Sequence, residues 1–399
     1  MDRLANTVRP YAWGSTTAIP ELLGTEPTGQ PQAELWMGAH PGAPSLVDRG
    51  AGRQPLSEVI AADPHGELGD AAVAAFGPRL PFLFKVLAAA SPLSLQVHPD
   101  SVQAAAGYAA EEAAGVPVDD PRRTYRDTSH KPELLCALTD FEGLCGFRQP
   151  EESADLLAAL DVDGLKPYVD LLRAHPRDAA LREVFTAVLT AERDAVADTV
   201  TEAVTAASRL AEQDGPHAAA YRACAAAAHH YPGDPGSIAA LLLHHVTLQP
   251  GEALYLGAGV PHAYLGGLGV ELMANSDNVL RCGFTPKHVD VPELLRVVAF
   301  EPRDPGVLRP EPDADGSEVY LTPAPEFQLS RHVLAPAAVP VEPGHHGPQI
   351  LLCTAGHTVL HGGDGTELPL ARGESVYVRA GEAIRITGEG TLFRATVAA

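Results

Sequence analysis

The sequence predicts a mainly β protein that carries one helical insertion and ends in a second β unit. Residues 1–150 contain short runs rich in aromatic and branched residues, such as Leu80-Pro-Phe-Leu-Phe-Lys-Val-Leu87, and such runs favour strands. Residues 151–236 are rich in alanine and leucine, with apolar positions recurring every three or four residues, as in amphipathic helices. From residue 237 onwards, short β-rich runs separated by Gly and Pro turns return and continue to residue 399.

These changes of pattern divide the chain into four segments. We predict the first part of a larger β domain at 1–150, a helical insertion domain at 151–236, the second part of the β domain at 237–300 and a separate β unit at 301–399. Within them, Glu151–Leu160, Asp178–Ala211 and Val291–Phe300 show helical periodicity.

Composition limits the classes of function. Hydrophobic content of 45% and charged content of 20% are typical of a soluble globular protein, and no apolar run approaches the ~20 residues of a membrane helix. The five cysteines are widely spaced without a CxxC, so we expect buried thiols in a reducing, cytoplasmic setting. The net charge of −23 argues against nucleic acid as a partner, and an anionic ligand would need a local cluster of cations. We expect a monomer, with a homodimer as the alternative.

A weak repeat links the two β regions. Gly251-Glu-Ala-Leu-Tyr-Leu-Gly-Ala-Gly-Val-Pro-His262 aligns with Gly373-Glu-Ser-Val-Tyr-Val-Arg-Ala-Gly-Glu-Ala-Ile384. A turn, a strand and a second tight turn are the pattern of a jelly-roll barrel. The first copy ends in a histidine and the second in Ile384, so the C-terminal unit is predicted to be a metal-free copy. Chance similarity between two hairpins is the alternative.

Four separated residues form a candidate metal site. Gln96 and His98 are two positions apart in a strand-like run, so both side chains point to one face. Glu133 follows in His130-Lys-Pro-Glu133, and His262 follows a Gly-Val-Pro turn. One amide oxygen, two imidazoles and one carboxylate suit zinc or a similar divalent ion and leave a position open for catalysis. Taken singly, Gln96 and His98 are better explained as a hydrogen-bonded core pair, Glu133 as part of a surface turn with solvated charges, and His262 as a loop histidine with satisfied hydrogen bonds.

Several motifs resemble one family. They include Ala33–His40, Pro81–Leu87, Leu93-Ser-Leu-Gln-Val-His-Pro-Asp100, His130-Lys-Pro-Glu-Leu134, Phe141–Phe147, Val260–Leu265 and Ser276–Lys287. Together they resemble type I mannose-6-phosphate isomerase, in order from residue 11 to about residue 300. The N-terminal motif departs from the family in Ala12, where many members carry an acidic residue.

The resemblance implies a fold, an activity and a set of site residues. It implies a protein of the cupin superfamily with one zinc ion per chain that interconverts mannose 6-phosphate and fructose 6-phosphate and supplies GDP-mannose. The four zinc ligands that it implies are those of the candidate site, Gln96, His98, Glu133 and His262. It places the active-site arginine at Arg281 and the pocket at Trp13, Glu34, Lys85, Ser94, Lys131, Glu271 and Lys287.

Aldose–ketose isomerisation moves a proton between C1 and C2 through an enediolate, and this reaction suggests roles for the remaining residues. Arg281 would stabilise negative charge on oxygen, unless it forms a structural salt bridge. Lys131 or Glu271 would shuttle the proton, and His130 would assist ring opening, although each of them could instead orient a zinc ligand. Lys287 and the Ser94 hydroxyl would bind the phosphate. Lysine is rare, at positions 85, 131, 166 and 287 only, which favours a specific use.

Two other classes of protein compete with this interpretation. An iron dioxygenase of the same superfamily would favour a histidine-rich ligand set, and Gln96 in a ligand position argues against it. A non-catalytic sugar-binding protein would have lost a metal ligand or Arg281, and the sequence retains both.

Overall fold

The structure is a computed structural model that describes residues 1–174, 177–213, 215–336, 339–344 and 346–398. The twenty strands found there are β1 Asp2–Arg3, β2 Thr7–Arg9, β3 Glu34–Met37, β4 Leu46–Asp48, β5 Arg53–Pro55, β6 Phe82–Ala89, β7 Leu95–Val97, β8 Glu133–Ala137, β9 Phe141–Phe147, β10 Leu243–Leu248, β11 Ala253–Leu256, β12 His262–Ala274, β13 Leu280–Gly283, β14 Glu311–Pro312, β15 Glu318–Tyr320, β16 Gln328–Leu334, β17 Gln349–Gly362, β18 Glu367–Ala371, β19 Ser375–Val378 and β20 Ile384–Thr396.

The helices of the same residues are, in chain order, α1 Ala18–Leu23, α2 Leu56–Ala62, α3 Pro64–Leu68, α4 Asp70–Phe76, α5 Ser101–Ala113, α6 Pro150–Ala159, α7 Lys166–Ala174, α8 Arg177–Thr190, α9 Arg193–Ala211, α10 Ala218–His230, α11 Gly236–Ala240 and α12 Val291–Val297, with a 3-10 turn at Asp163–Leu165. The predicted mixture of mainly β structure with a run of helices is therefore confirmed. None of the described helices has the length and apolar character that a membrane crossing requires.

The long strand β12 organises a ten-stranded antiparallel sheet into two halves. Its first residues pair with β7 and β9, so that His262 lies opposite Gln96, and β13 and β10 extend this half. Its last eight residues pair with β6 and β8, and β3, β2 and β11 complete the other half. Apolar side chains from both halves meet in one cluster that includes Leu87, Leu135, Phe141 and Leu256.

The outer faces of the two halves pack against different layers. The face with Leu95, Val97 and Leu280 is covered by helices α6–α11. The face with Phe84 and Leu134 packs against the C-terminal sheet. Since adjacent side chains in a strand point to opposite faces, residues such as Gln96 and Lys85 turn inwards, between the two halves. Polar residues at the inward positions therefore share one enclosed space.

The C-terminal sheet has eight strands in the order β1-β19-β17-β20-β16-β15-β14, with β18 paired to β17. The aligned repeat is visible in it. Gly251 and Gly373 both have positive φ, each is followed by a short strand, and His262 and Ile384 each begin a strand of thirteen residues. Strand β1 comes from the other end of the chain and pairs with β19, which joins the N-terminus to this sheet.

Neither large sheet closes into a barrel by strand pairing within the described residues, since one ends in the edge strands β10, β13, β2 and β11 and the other in β1, β14 and β18. The helix boundaries also differ from prediction. The periodic stretch Asp178–Ala211 forms two helices, α8 and α9, because the backbone of Glu192 is extended. Helix α12 ends at Val297, since Val298 is extended and Phe300 stacks on Phe147.

The bend of β12, the point where the strand passes from one half-sheet to the other, lies at Gly267. Its φ is +123°, and a Cβ there would lie 2.7 Å from the backbone oxygen of Asp140 and 2.7 Å from a ring atom of Phe141. We therefore expect Gly267→Ala to lower the free energy of unfolding by about 2 kcal/mol or more, through backbone strain and overpacking. Urea unfolding followed by far-UV circular dichroism measures this change.

The neighbouring Gly266 provides the control, because its Cβ would come no closer than 4.0 Å to another atom. Gly266→Ala should change the stability by less than about 1 kcal/mol. Equal losses in the two variants would show that the bend does not depend on the backbone conformation of Gly267.

Candidate metal centre and sugar pocket

Polar side chains of the candidate site come from six strands, β3, β6, β7, β8, β12 and β13, at inward positions of both half-sheets, and from the loops beside them. The strand register places several of these side chains directly beside one another on adjacent strands. His262 of β12, Gln96 of β7 and Arg281 of β13 are direct cross-strand neighbours in one half. Glu271 of β12 and Lys85 of β6 are direct neighbours in the other. Helix α5 begins shortly after β7, at Ser101, and is capped by Asp100, which fixes the end of β7.

His98, Glu133 and His262 converge on one point. The Nε2 atom of His98 lies 3.2 Å from one carboxylate oxygen of Glu133, and the Nε2 atom of His262 lies 3.6 Å from the other. One ligand atom from each of the three residues lies within 4.8 Å of the other two. All three side chains are buried, so the point of convergence is shielded from bulk water.

Backbone hydrogen bonds set the protonation of both imidazoles. Nδ1 of His98 donates to the carbonyl of Asn278 at 2.8 Å, and Nδ1 of His262 donates to the carbonyl of Val260 at 2.9 Å. A carbonyl only accepts, so each neutral ring has its proton on Nδ1 and a free lone pair on Nε2. Burial lowers the pKa of His98 to about 4, so this ring is neutral at physiological pH.

The residues fit a divalent metal ion. Nε2 of His98 and one carboxylate oxygen of Glu133 are buried without a hydrogen-bond partner among the described residues, and buried polar atoms are normally satisfied. Burial opposes the charge of Glu133, but Lys131 and His98 outweigh it and hold the pKa of this carboxyl well below its usual range. Two imidazoles and one carboxylate are a ligand set used by catalytic zinc.

Gln96 lies beside this set. Its amide nitrogen is 3.3 Å from Nε2 of His262, and its amide oxygen accepts a hydrogen bond of 3.4 Å from the Ser94 hydroxyl. Rotation of the amide by 180° exchanges its nitrogen and oxygen and would turn the oxygen towards the imidazole. The structure thus brings Gln96 and Ser94 to the metal centre, and the role of Gln96 as a ligand stays a prediction.

Lys85 and Glu271 form a buried ion pair on the other half-sheet. The ammonium nitrogen of Lys85 is 2.9 Å from a Glu271 oxygen and lies 5.5 Å from the centre of the Trp36 ring. Glu34 accepts a 2.6 Å hydrogen bond from the Trp36 indole. Burial opposes the charge of Lys85, but Glu271, Glu34 and Glu133 outweigh it and raise its pKa. Burial also raises the pKa of Glu271, with a contribution from the neighbouring carboxylates.

Lys131 lies close to both the metal centre and the Lys85–Glu271 pair. Its ammonium nitrogen lies 2.7 Å from the Glu133 oxygen that also faces His98. A positive charge therefore stands beside the metal centre, on the loop that leads into β8.

Arg281, the cross-strand neighbour of Gln96, lies near two further cations, Arg126 and Lys287. Burial and the nearby Arg126 lower the pKa of Arg281, and burial, Arg281 and Arg126 lower the pKa of Lys287. None of these three side chains forms a hydrogen bond or ion pair with another of the described residues. Arg126 was not predicted from the sequence, because it belongs to none of the motifs and its neighbours come from a segment more than 150 positions away.

Two predicted pocket residues make other contacts. The ring of His130 faces Glu326 of the C-terminal unit at 2.5 Å, so it is not brought into contact with the metal centre. Trp13 stacks on Tyr11 and packs against the apolar cluster between the half-sheets. A carboxylate that the sequence analysis did not assign, Asp277, lies 3.3 Å from the buried ring of His40.

Fold and site together define a sheet-rich protein with helices and a buried His–Glu–His metal centre surrounded by fixed charges. Residues 1–150 match the family model of the phosphomannose isomerase type I catalytic domain. The chain is 41% identical over 398 residues to mannose-6-phosphate isomerase of Escherichia coli, covering 99% of both chains. It is 33% identical over 410 residues to the enzyme of Homo sapiens, covering 96% of this chain and 94% of that one.

Solved structures agree. A mutant of phosphomannose isomerase from Salmonella typhimurium superimposes with a TM-score of 0.91 at 38% identity, covering both chains completely. A zinc-bound mannose 6-phosphate isomerase gives a TM-score of 0.90 at 38% identity and covers 100% of this chain and 99% of that one. The chain therefore belongs to the type I phosphomannose isomerases, a family of aldose–ketose isomerases, and the resemblance noted in the sequence is confirmed.

Removing the charge of the carboxylate should strongly weaken metal binding without changing the shape of the site. Glu133→Gln replaces a charged ligand with a neutral amide, so we expect the dissociation constant for zinc to rise at least about 100-fold. Competition with a chelator of known affinity measures the constant. Glu142→Gln, an exposed glutamate on β9, is the control and should bind zinc as the unchanged protein does. Equal zinc affinity in both variants would exclude Glu133 as a ligand.

Proposed function

We propose that the chain is a zinc-dependent mannose-6-phosphate isomerase that interconverts mannose 6-phosphate and fructose 6-phosphate. One observation carries the proposal. The ligand atoms of His98, Glu133 and His262 converge in a chain whose full length matches enzymes with this activity. Gln96 is the proposed fourth ligand of one zinc ion per chain. A bound zinc would act as a Lewis acid on the sugar oxygens.

Glu271 is the better of the two candidates for the base that removes the proton. A base works best when its pKa lies near the operating pH, and burial raises the pKa of the Glu271 carboxyl towards that range. Lys131 carries its charge against Glu133 at 2.7 Å. It is therefore suited to donate a hydrogen bond to the oxygen on which negative charge develops. We propose that Glu271 moves the proton between C1 and C2 and that Lys131 stabilises the enediolate.

Lys85 holds Glu271 in place. The two side chains are direct cross-strand neighbours and form a 2.9 Å contact, with Trp36 packed against the ammonium group. Glu34 and Trp13 would form the wall of the pocket beside this pair. We propose these residues as the sugar-binding side of the site.

The phosphate would bind to the three cations at the other side. Burial and Arg126 lower the pKa of Arg281, and burial, Arg281 and Arg126 lower the pKa of Lys287. None of the three side chains has a partner among the described residues, so a dianion would offset the repulsion between them. Arg281 is also next to Gln96 and could stabilise charge on a sugar oxygen. The Ser94 hydroxyl, close to Gln96, is the proposed additional donor. This cluster explains how a protein of net charge −23 would bind an anionic sugar.

The ring-opening role of His130 stays a prediction. Its imidazole contacts the carboxyl of Glu326. Burial opposes the charge of this carboxyl, but the contact with His130 outweighs burial and lowers its pKa. The ring would have to turn away from Glu326 to reach a sugar.

We also propose the domain layout and the setting of the enzyme. A cupin domain of two parts, 1–150 and 237–300, would carry the site, with a helical domain at 151–236 and a metal-free cupin-like domain at 301–399. The shared turn, strand and long strand at His262 and Ile384 support two related units. Five buried free thiols support a cytoplasmic location. A monomeric state and a role in GDP-mannose supply complete the proposal.

The assay that tests this function follows conversion of mannose 6-phosphate in a coupled system, with metal-depleted and zinc-restored protein. We expect activity only with a bound metal. Glu271→Gln should lower kcat by at least about 100-fold, the usual contribution of a general base, while zinc content stays the same. An inactive zinc-loaded wild type would overturn the function. An active Glu271→Gln would overturn only the role of the base.

The phosphate assignment predicts a specific change in KM. Lys287→Ala removes a charge-assisted hydrogen bond and should raise KM for mannose 6-phosphate by about 10- to 100-fold, with a smaller effect on kcat. Steady-state kinetics at saturating zinc measure both. Lys166→Ala is the matched control, because Lys166 is an exposed lysine on α7 paired with Asp163. An unchanged KM in Lys287→Ala would show that the phosphate binds elsewhere.

A further inference from the structure

Asn278 connects His98 with the segment of residues 126–129, which leads towards Lys131 and Glu133. Its side chain is fully buried, and it lies in the segment between β12 and β13. Its backbone carbonyl accepts the Nδ1 proton of His98 at 2.8 Å. That hydrogen bond fixes both the tautomer and the direction of the His98 ring. The position of the Asn278 backbone therefore decides where the Nε2 lone pair points.

The amide side chain of Asn278 holds the segment of residues 126–129. Its oxygen accepts hydrogen bonds from the backbone nitrogens of Arg126 and Asp127, at 2.7 and 3.3 Å. Its nitrogen donates to the carbonyls of Asp127 and Ser129, both at 2.8 Å. The amide is thus the hydrogen-bond partner of four backbone groups in this segment. The nitrogen also donates to the Asp127 carboxylate at 3.3 Å. Donors thus face only its oxygen and acceptors only its nitrogen, so only an amide in this orientation satisfies all of them.

Asp127, in the segment 126–129, in turn binds the segment that contains Asn278. Its carboxylate accepts hydrogen bonds from the Ser276 hydroxyl at 2.9 Å and from the backbone nitrogen of Asp277 at 2.8 Å. The two segments therefore exchange side-chain hydrogen bonds in both directions. Neither segment can shift without breaking several of them.

The segment 126–129 begins with the cation Arg126 and runs directly into the loop with Lys131, which leads to Glu133 at the start of β8. We propose that Asn278 is a positioning residue that sets zinc affinity by holding His98 and Glu133, through the loop before β8, at one fixed distance. The proposal rests on the zinc site of the proposed function. Residues that orient metal ligands typically change affinity by about 10- to 100-fold when they are replaced.

Asn278→Asp tests this with almost no change in volume. The new carboxylate would face the carbonyls of Asp127 and Ser129, so two hydrogen bonds would become repulsive contacts. We expect the dissociation constant for zinc to rise about 10- to 100-fold, measured by chelator competition. The visible absorption bands of the cobalt-substituted protein should shift as well, because the geometry of the ligands changes.

Asn275→Asp is the matched control. Asn275 lies three positions earlier, and its amide donates to the carbonyl of Leu80 instead of the 126–129 segment. This variant should keep the zinc affinity and the cobalt spectrum of the wild type. Asp127→Asn provides a second test that leaves Asn278 intact, and it should weaken zinc binding in the same direction.

The outcomes separate positioning from mere structural support. If Asn278→Asp lowers the melting temperature of the metal-free protein but leaves zinc affinity and the cobalt spectrum unchanged, the positioning role is wrong. If Asn278→Asp does not fold, unchanged zinc affinity in Asp127→Asn overturns the proposal. A wild type that binds no zinc would overturn the zinc site of the proposed function, and the positioning role would fall with it.

Discussion

The rest of the structure depends on which side chains point inwards, between the two half-sheets. Alternation along β6, β7, β8, β12 and β13 decides this. Outward residues of these strands pack against the helices on one side and the C-terminal sheet on the other. Because both outer faces are covered by apolar layers, a shift of one residue in register would bury the polar set in those layers. The two covering layers thus hold the register that keeps His98, Glu133 and His262 together.

Charge balance explains the second feature of the site. Three buried carboxylates, Glu34, Glu133 and Glu271, stand near Lys85 and Lys131. Lys131 and His98 hold the pKa of Glu133 well below its usual range, whereas burial raises the pKa of Glu271 although Lys85 pairs with it. The cations Arg281, Lys287 and Arg126 have no such counter-charges among the described residues. One side of the pocket is therefore neutralised within the protein, while the other is left to an anionic ligand.

The parts of the site that the sequence predicted are those that depend on short-range order. The i, i+2 spacing placed Gln96 and His98 on one face, and the repeat placed His262 at the start of a long strand. The environment of His130 was not predictable, because its partner Glu326 is 196 positions away. The roles of Arg126 and Asn278 were missed for the same reason. Their contacts join segments about 150 positions apart, and neither residue type marks a site by itself.

The sequence alone determined the mainly β class with a helical insertion, the family, and the residues able to bind a metal. These follow from local periodicity and from motifs whose residue types carry the chemistry. Only the tertiary structure decided that the sheets stay open, that β12 serves both half-sheets, and that Arg126 and Lys287 lie near Arg281. Strand pairing and buried hydrogen bonds between distant segments decide these features, because a chain's local pattern does not specify which distant segment will lie opposite it.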